Sequence, residues 1–393
     1  MSVYRGEIRE YPGVIVDEFS AHTHKAGVAF FLSHAHKDHM KGLEKFAEML
    51  ALSNAKLYMT EISKSILSTI IYELTARIEI LKVNSPVNIE LSKGVKVTVT
   101  SLQSGHCPGA VMFLFEGVNG NVLYTGDFRL DAKDLKETRL YREDGDIKQI
   151  KSVYLDTTFC HPSADRFIDR DTSRKILLNK TIEWLDCHFE NKVCLNFPCL
   201  GYEYLIVEIF TEIGIQSNIS KSKLSEQYQA ISVLKDCITD EVSRININSW
   251  EGGKGCKIDP RVLNIKPTIQ WFVMNNKLKV ECEYIPEELL WRIQHSNHCS
   301  YSELTEFVKN ICPERIVPIC TPVLSSCPQE GVTRLKHLLR PLPPMVTEIF
   351  QEDKISSSQI PNRIKRITSS FLEESVCEPV CKKRAQMNHL TPD

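Results

Sequence analysis

Apolar and polar positions in the first part of the chain fall into short β-branched runs separated by amphipathic stretches, the pattern of strands connected by helices. Val14 to Val16 is one such run and ends at Asp17; Ala29 to Leu32 is another and delivers the chain to Ser33 and His34. Lys64 to Glu73 has helical apolar spacing, and Gly94 to Thr100 interleaves valines with polar residues, as a half-buried strand does. Val111 to Phe115 and Asn121 to Tyr124 read as a hairpin in which Asn119 and Gly120 supply the positive φ angles of a tight turn. Ser152 to Leu155 is one more strand, and it stops at Asp156.

After Asp156 the pattern changes. Thr172 or Ser173 can cap a helix that runs through Trp184, and Leu205, Ile206, Ile209, Phe210 and Ile213 form an apolar helical face ended by Gly214. The chain therefore divides into a first core segment (residues 1–160), an inserted α/β unit (161–280) and a return to the core (281–341). The return passes through the His298 segment, a helix carrying Leu304, Phe307, Val308 and Ile311, and a strand from Arg315 to Ile319. Residues 342–393 are rich in Pro, Ser and charge and read as a flexible tail.

Composition sets limits. A chain of 393 residues with 42% hydrophobic content can bury a sizeable core and divide into more than one domain. No apolar run reaches the length of about 18 residues that spans a bilayer, and Met1-Ser2-Val3-Tyr4-Arg5 is not a secretory leader, so an intracellular protein without a membrane partner is expected. Its 14 cysteines show no paired zinc-ribbon spacing and are expected to be reduced and mostly buried. A formal net charge of −2 means that any nucleic-acid contact must come from local patches.

The chemistry concentrates at Ser33-His34-Ala35-His36-Lys37-Asp38-His39. Three imidazoles and a carboxylate so close together would each need a private partner if they were merely core groups. The same spacing can aim His34 and His36 at one cation and Asp38 and His39 at a second, with ligand types that suit zinc in an open site. His106, before a Pro-Gly turn, and Asp127, after the hairpin, would each be an ordinary structural residue if met alone. Beside the first cluster, His106 completes a three-histidine face and Asp127 is suited to bridge both metals. Asp17 is expected to hold a ligand histidine rather than bind metal itself.

This set, in this order, resembles the metallo-β-lactamase superfamily, and the resemblance implies a four-layer αββα sandwich. Two later segments narrow it to the β-CASP group, which inserts an α/β cap into that fold. Val153-Tyr154-Leu155-Asp156 resembles the first β-CASP motif, and His298-Cys299-Ser300-Tyr301-Ser302-Glu303 the second. Ile316 stands where the third motif carries an aliphatic residue in DNA-processing members and a histidine in RNA-processing ones. Lys37-Asp38-His39-Met40-Lys41-Gly42-Leu43, Asp127-Phe128-Arg129-Leu130 and Gly201-Tyr202-Glu203-Tyr204-Leu205 are more similar to the Artemis branch than to its sister branch, Apollo.

The resemblance implies a DNA nuclease of double-strand break repair by end joining, with 5′ exonuclease action and endonuclease action on hairpins and overhangs. One or two zinc ions would activate water, with Mg or Mn also supporting activity. His34, His36, His106 and Asp127 would hold one ion, and Asp38, His39, Asp127 and His298 the other. Asp38, Asp127, Asp156 and His298 would be catalytic, with Asp156 orienting the water or taking its proton. The implied partners are DNA, a repair kinase and a ligase complex, in the nucleus.

The cap's auxiliary zinc position would fall on Asn218, Asn246, Asn248 and Cys256, and asparagine is a poor zinc ligand, so no structural zinc is expected there. Arg363-Ile364-Lys365-Arg366 and Lys382-Lys383-Arg384 read as solvated charge runs. The competing readings are an RNA-processing β-CASP endonuclease, a catalytically silent repair scaffold and a small-molecule hydrolase.

Overall fold

The computed structural model describes residues 4–20, 23, 28–46, 55–71, 78–91, 94–130, 132–141, 145–248, 259–324 and 328–341. The expected tail, its two basic runs and Cys256 lie outside the described residues. Residues 1–342 form one compact unit.

Three sheets form in nearly strict chain order. The first is parallel and takes β1 (Val14–Val16), β2 (Ala29–Phe31), β3 (Lys56–Met59) and β4 (Ile78–Ile80). The second takes β5 (Pro86–Glu90), β6 (Lys96–Gln103), β7 (Val111–Gly117), β8 (Asn121–Tyr124) and β9 (Ile150–Leu155). The third takes β10 (Lys192–Asn196), β11 (Ser217–Asn218), β12 (Ile238–Thr239), β13 (Ile245–Asn248), β14 (Val262–Pro267), β15 (Cys282–Ile285) and β16 (Leu290–Ile293). Only β17 (Arg315–Pro318) breaks the order, returning to pair in parallel with β9 at the edge of the second sheet.

Period-two alternation explains the layers. In β7, Val111, Phe113 and Phe115 point into a cluster shared with Val14, Val16 and Phe31 of the first sheet. Met112 and Leu114, on the other face, join Leu304, Phe307 and Val308 of a helix. The opposite face of the first sheet, with Ile15, Phe30 and Leu57, packs on Ile66 and Leu67 of helix α1 (Glu61–Ser68). Helix, sheet, sheet and helix thus stack in four layers, as the resemblance implies.

The same outer cluster continues into the insertion, taking Leu177 of α2 (Arg170–Cys187), Leu205, Ile206 and Ile209 of α3 (Glu203–Ile213), and Val193, Ile247, Leu263 and Ile293 of the third sheet. One continuous apolar core therefore joins cap and first sheet. The third sheet keeps its strands as far as Ile293, past residue 280 where the sequence reading places the return to the core, because β15 pairs antiparallel with β16.

Local details also depart from the expectations. The loop between β7 and β8 has three residues and only Gly120 has positive φ, so Asn119 is not left-handed. Helix α2 starts at an Asp169 cap that accepts the Thr172 amide, ahead of the expected Thr172 or Ser173. The described cysteines are all free; four of the ten are buried and two are exposed, so burial is less complete than expected. No helix among the described residues is long and apolar enough to cross a membrane.

Candidate metal centre

The site lies where strands of the two core sheets end. Asp17 follows β1, His34 follows β2, His106 follows β6, Asp127 follows β8 and Asp156 follows β9. Asp17 takes φ 54°, a conformation Asp tolerates better than most residues, and this turns its carboxylate back toward the next loop. There it accepts the Ser33 amide at 2.7 Å, the Ser33 hydroxyl at 2.6 Å, the Tyr124 hydroxyl at 3.0 Å and His39 Nδ1 at 2.8 Å. Gly126, with φ 51°, has no room for a side chain, since a Cβ would sit 2.9 Å from Ser33; that close approach brings Asp127 up against the histidines.

The protonation of each ring can be read from its outer partner. His36 Nε2 faces the Leu200 carbonyl at 3.1 Å and His106 Nδ1 faces the Asn297 carbonyl at 3.0 Å. A carbonyl can only accept, so both of those nitrogens carry hydrogen. The Ser33 hydroxyl donates to Asp17, so its oxygen accepts from His34 Nδ1 at 2.9 Å. The remaining nitrogens of these three neutral rings therefore bear bare lone pairs. They point at one another: His36 Nδ1 is 3.1 Å from both His34 Nε2 and His106 Nε2. Asp127 Oδ2 lies 3.6 Å from His34 Nε2 and 3.5 Å from His106 Nε2. Three converging lone pairs beside a carboxylate repel one another unless a cation sits among them, and the four donor atoms lie within 4.8 Å of each other. The residues present thus fit a divalent metal.

His39 and His298 complete the ring around Asp127. His39 donates Nδ1–H to Asp17 and turns Nε2 toward Asp127 Oδ1 at 3.4 Å. His298 donates Nδ1–H to Asp156 Oδ2 at 2.7 Å and turns Nε2 toward Asp127 Oδ2 at 3.9 Å. Asp38 stands at the rim, its side chain 78% exposed and its Oδ2 3.8 Å from His39 Nε2. The electrostatics divide the rings into two kinds. Burial holds His34 and His106 well below the ordinary imidazole range and brings His36 down to about 4, which keeps all three neutral. Burial acts the same way at His39 and His298 but is outweighed. Asp127 and Asp17 raise His39 well above its usual value, and Asp156 with Asp127 raises His298 to about 9. Positive charge is favoured at these two rings, as a proton or as a metal.

Asp156 is 2% exposed; Oδ1 accepts the Thr158 amide and hydroxyl, and Oδ2 accepts His298, which fixes that ring. Asp127, Asp156 and His298 form a second group whose ligand atoms lie within 4.8 Å of one another. Ile316 is buried among Val153, Leu155 and Ile311, whereas the parallel register that sets Pro318 beside Leu155 brings Ile319 level with Asp156 and onto the cleft wall, which it shares with Leu200, Ile269 and Val323.

Several partners escape sequence reading. Leu200 and Asn297 contribute backbone carbonyls, which every residue carries, so no residue type announces them. Arg129 was legible only as part of a motif; in the fold its guanidinium binds Glu303, the Ser296 carbonyl and the Ile168 carbonyl, fixing the segment before His298. In the cap, Asn218 and Asn246 are register neighbours whose amides bond to backbone carbonyls.

The centre opens into a cleft of about 980 Å³ walled by Asp38 and His39 from the core and by Pro198, Lys266 and Gln270 from the cap. Residues 216–323 match the family model described as DNA repair metallo-beta-lactamase. The chain is 34% identical to Protein artemis of Rattus norvegicus over 82% of this chain and 49% of the relative. Against Protein artemis of Homo sapiens it is 34% identical over 87% of this chain and 52% of the relative. It is 29% identical to 5′ exonuclease Apollo of Gallus gallus over 78% of this chain and 61% of that protein. The chain spans about half the length of the artemis proteins it matches.

Proposed function

The chain belongs to the metallo-β-lactamase/β-CASP family in its Artemis-like branch, and from that premise we propose that it is a metal-dependent DNA nuclease. The observation that carries the reading is the ring of five imidazoles, each anchored by its outer nitrogen, four of them turning the inner nitrogen toward Asp127 and His36 turning its own toward those of His34 and His106. Such a centre suits hydrolysis of a phosphodiester, whose charge it can offset as the transition state forms.

His34, His36, His106 and Asp127 would hold one ion, and Asp38, His39, Asp127 and His298 a second. A bound ion would supply a Lewis acid that lowers the pKa of water toward about 7 and neutralises phosphate charge. Imidazole-rich donor sets suit zinc, while magnesium favours oxygen ligands, so zinc is the proposed metal, with Mg or Mn supporting activity at the more carboxylate-rich second position. Asp127 would be shared by both positions, its Oδ2 facing His34, His106 and His298 and its Oδ1 facing His39. Asp17 and Asp156 hold His39 and His298 with Nε2 directed inward. The cleft positions the strand, and the match to the DNA repair metallo-beta-lactamase model supports DNA over RNA.

The substrates proposed are single-stranded ends, overhangs and hairpin tips, whose backbone bends into a cleft at small unpairing cost. A role in end joining in the nucleus, with a repair kinase and a ligase complex as partners, extends the same proposal and is supported by the likeness to artemis proteins.

The test is cleavage of labelled hairpin and overhang DNA, beside matched RNA, by the chain and by an Asp38→Asn/His39→Ala double variant. Cleavage of DNA that leaves a 5′-phosphate and a 3′-hydroxyl, slowed more than about 100-fold in the variant, is expected, since even outer partners of metal ligands matter 10–100-fold. Equal cutting by both proteins would reject the assignment, and preferential cutting of RNA would overturn the choice of substrate.

A further inference from the structure

We propose that Asn297 is a positioning residue for the metal centre, through which the inserted cap sets the orientation of His106 and His36. Asn297 is 8% exposed and sits beside His298 in the chain. Its backbone carbonyl accepts His106 Nδ1–H at 3.0 Å, and its side-chain Nδ2 donates to the Gly201 carbonyl at 3.1 Å. The adjoining Leu200 carbonyl accepts His36 Nε2–H at 3.1 Å. One asparagine therefore ties together the outer acceptors of two ligand histidines on different core loops.

The cap loop between β10 and α3 is built for this contact. Gly201 takes φ 118°, and a Cβ there would lie 2.4 Å from Asn297 Nδ2 and 3.0 Å from the His106 carbonyl. The Gly201 amide donates to the Glu203 carboxylate at 2.7 Å, which fixes the Leu200–Gly201 peptide whose carbonyl accepts from His36. On the other side, Arg129 holds the Ser296 carbonyl at 3.0 Å, so Asn297 is fixed from both flanks. Outer acceptors decide which imidazole nitrogen keeps its proton and how the ring is aimed, and they tune metal affinity. Asn297 lines the cleft but belongs to neither group of candidate metal ligands, and its effect on the centre runs through these histidines.

The inference rests on the metal-centre reading, and its test reads the metal directly. Asn297→Asp keeps the side-chain shape but replaces the donor to Gly201 with an oxygen that repels its carbonyl. Zinc affinity is measured by competition with a chromogenic chelator, and the coordination is read from the visible absorption of the cobalt-loaded full chain. The expected result is a loss of about 10–100-fold in zinc affinity with an altered cobalt spectrum, while the thermal midpoint stays close to that of the unaltered chain. On DNA, kcat falls while KM stays within about twofold, since ring orientation affects the chemical step more than strand binding. If Asn297→Asp does not fold, Asn297→Ala removes the donor without adding a repulsive oxygen and carries the same measurement. Unchanged zinc affinity and an unchanged cobalt spectrum in the folded variant would overturn the proposal. If the unaltered chain binds zinc but cuts no DNA, the nuclease reading fails, and the metal data still decide the role of Asn297.

Discussion

Asp17 accepts four hydrogen bonds, one of them from His39, and belongs to neither group of candidate metal ligands among the described residues, so its proposed work is to aim His39. Asp17→Asn tests this with little backbone disturbance, because asparagine tolerates the φ of 54° as readily as aspartate. The amide cannot replace an oxygen that receives Ser33, Tyr124 and His39 together. Metal affinity at the His39 side should fall about 10–100-fold, measured by titration of the metal-free protein. The contiguous histidines and Asp38 were legible because their spacing is itself a signal. Asp17, Asp127, Asp156 and His298 needed strand ends and resemblance to be picked out. The carbonyls of Leu200 and Asn297 were not legible at all, since only the folded chain brings a backbone acceptor to a chosen ring.

Glu203 supplies a second prediction at this scale. It is 4% exposed, one of its carboxylate oxygens has no hydrogen-bond partner, and burial raises it from 4.5 to about 7. A buried acid with a raised pKa holds its proton in the folded state where the unfolded chain has lost it. Its contribution is therefore most favourable below about pH 4.5 and is lost as pH rises through about 7. That loss is on the order of 3 kcal/mol for a shift of this size. Glu203→Gln should flatten stability between pH 5 and 8, measured by urea unfolding. An unchanged pH profile in the variant would show that Glu203 is not the titrating group.

At the scale of elements, helix α4 (Tyr301–Ile311) begins three residues after His298. Ser300 Oγ accepts the Glu303 amide while the Glu303 carboxylate accepts the Ser300 amide, and Arg129 binds that same carboxylate. Ser300→Ala removes the side-chain half of this box and should cost roughly 1 kcal/mol in urea unfolding. Retention of full stability would mean that the box does not anchor the helix. The apolar face of this helix was readable from spacing, whereas the start of α2 was not. Asp169, Asp171, Thr172 and Ser173 are all capable caps, and only tertiary packing selects Asp169. The burial of Ile316 has a similar origin: parallel pairing of β17 with β9 decides which residue stands level with Asp156, and register is not written in either strand alone.

Across the whole molecule, the αββα layers were legible only through the family resemblance that the histidine cluster carries, and the fold bears them out in β7, whose apolar residues pack on both faces. The extent of the cap sheet was not, since β15 and β16 are mixed in polarity and take their place through pairing. The cap and the first sheet share a core, and the loop at Leu200 and Gly201 carries that shared packing to the metal ligands. Stability of the cap and integrity of the centre are therefore joined through specific hydrogen bonds.

The central claim is that imidazoles from separate loops converge with Asp127 on a divalent cation. Elemental analysis of the purified chain beside Asp127→Asn tests it most directly, with both proteins shown to be folded by circular dichroism. The account predicts one or two zinc ions per chain in the unaltered protein and a loss exceeding about 100-fold in affinity in the variant, with DNA cleavage lost in parallel. A folded, metal-free chain that still cuts DNA, or an Asp127→Asn protein with undiminished metal and cleavage, would contradict it.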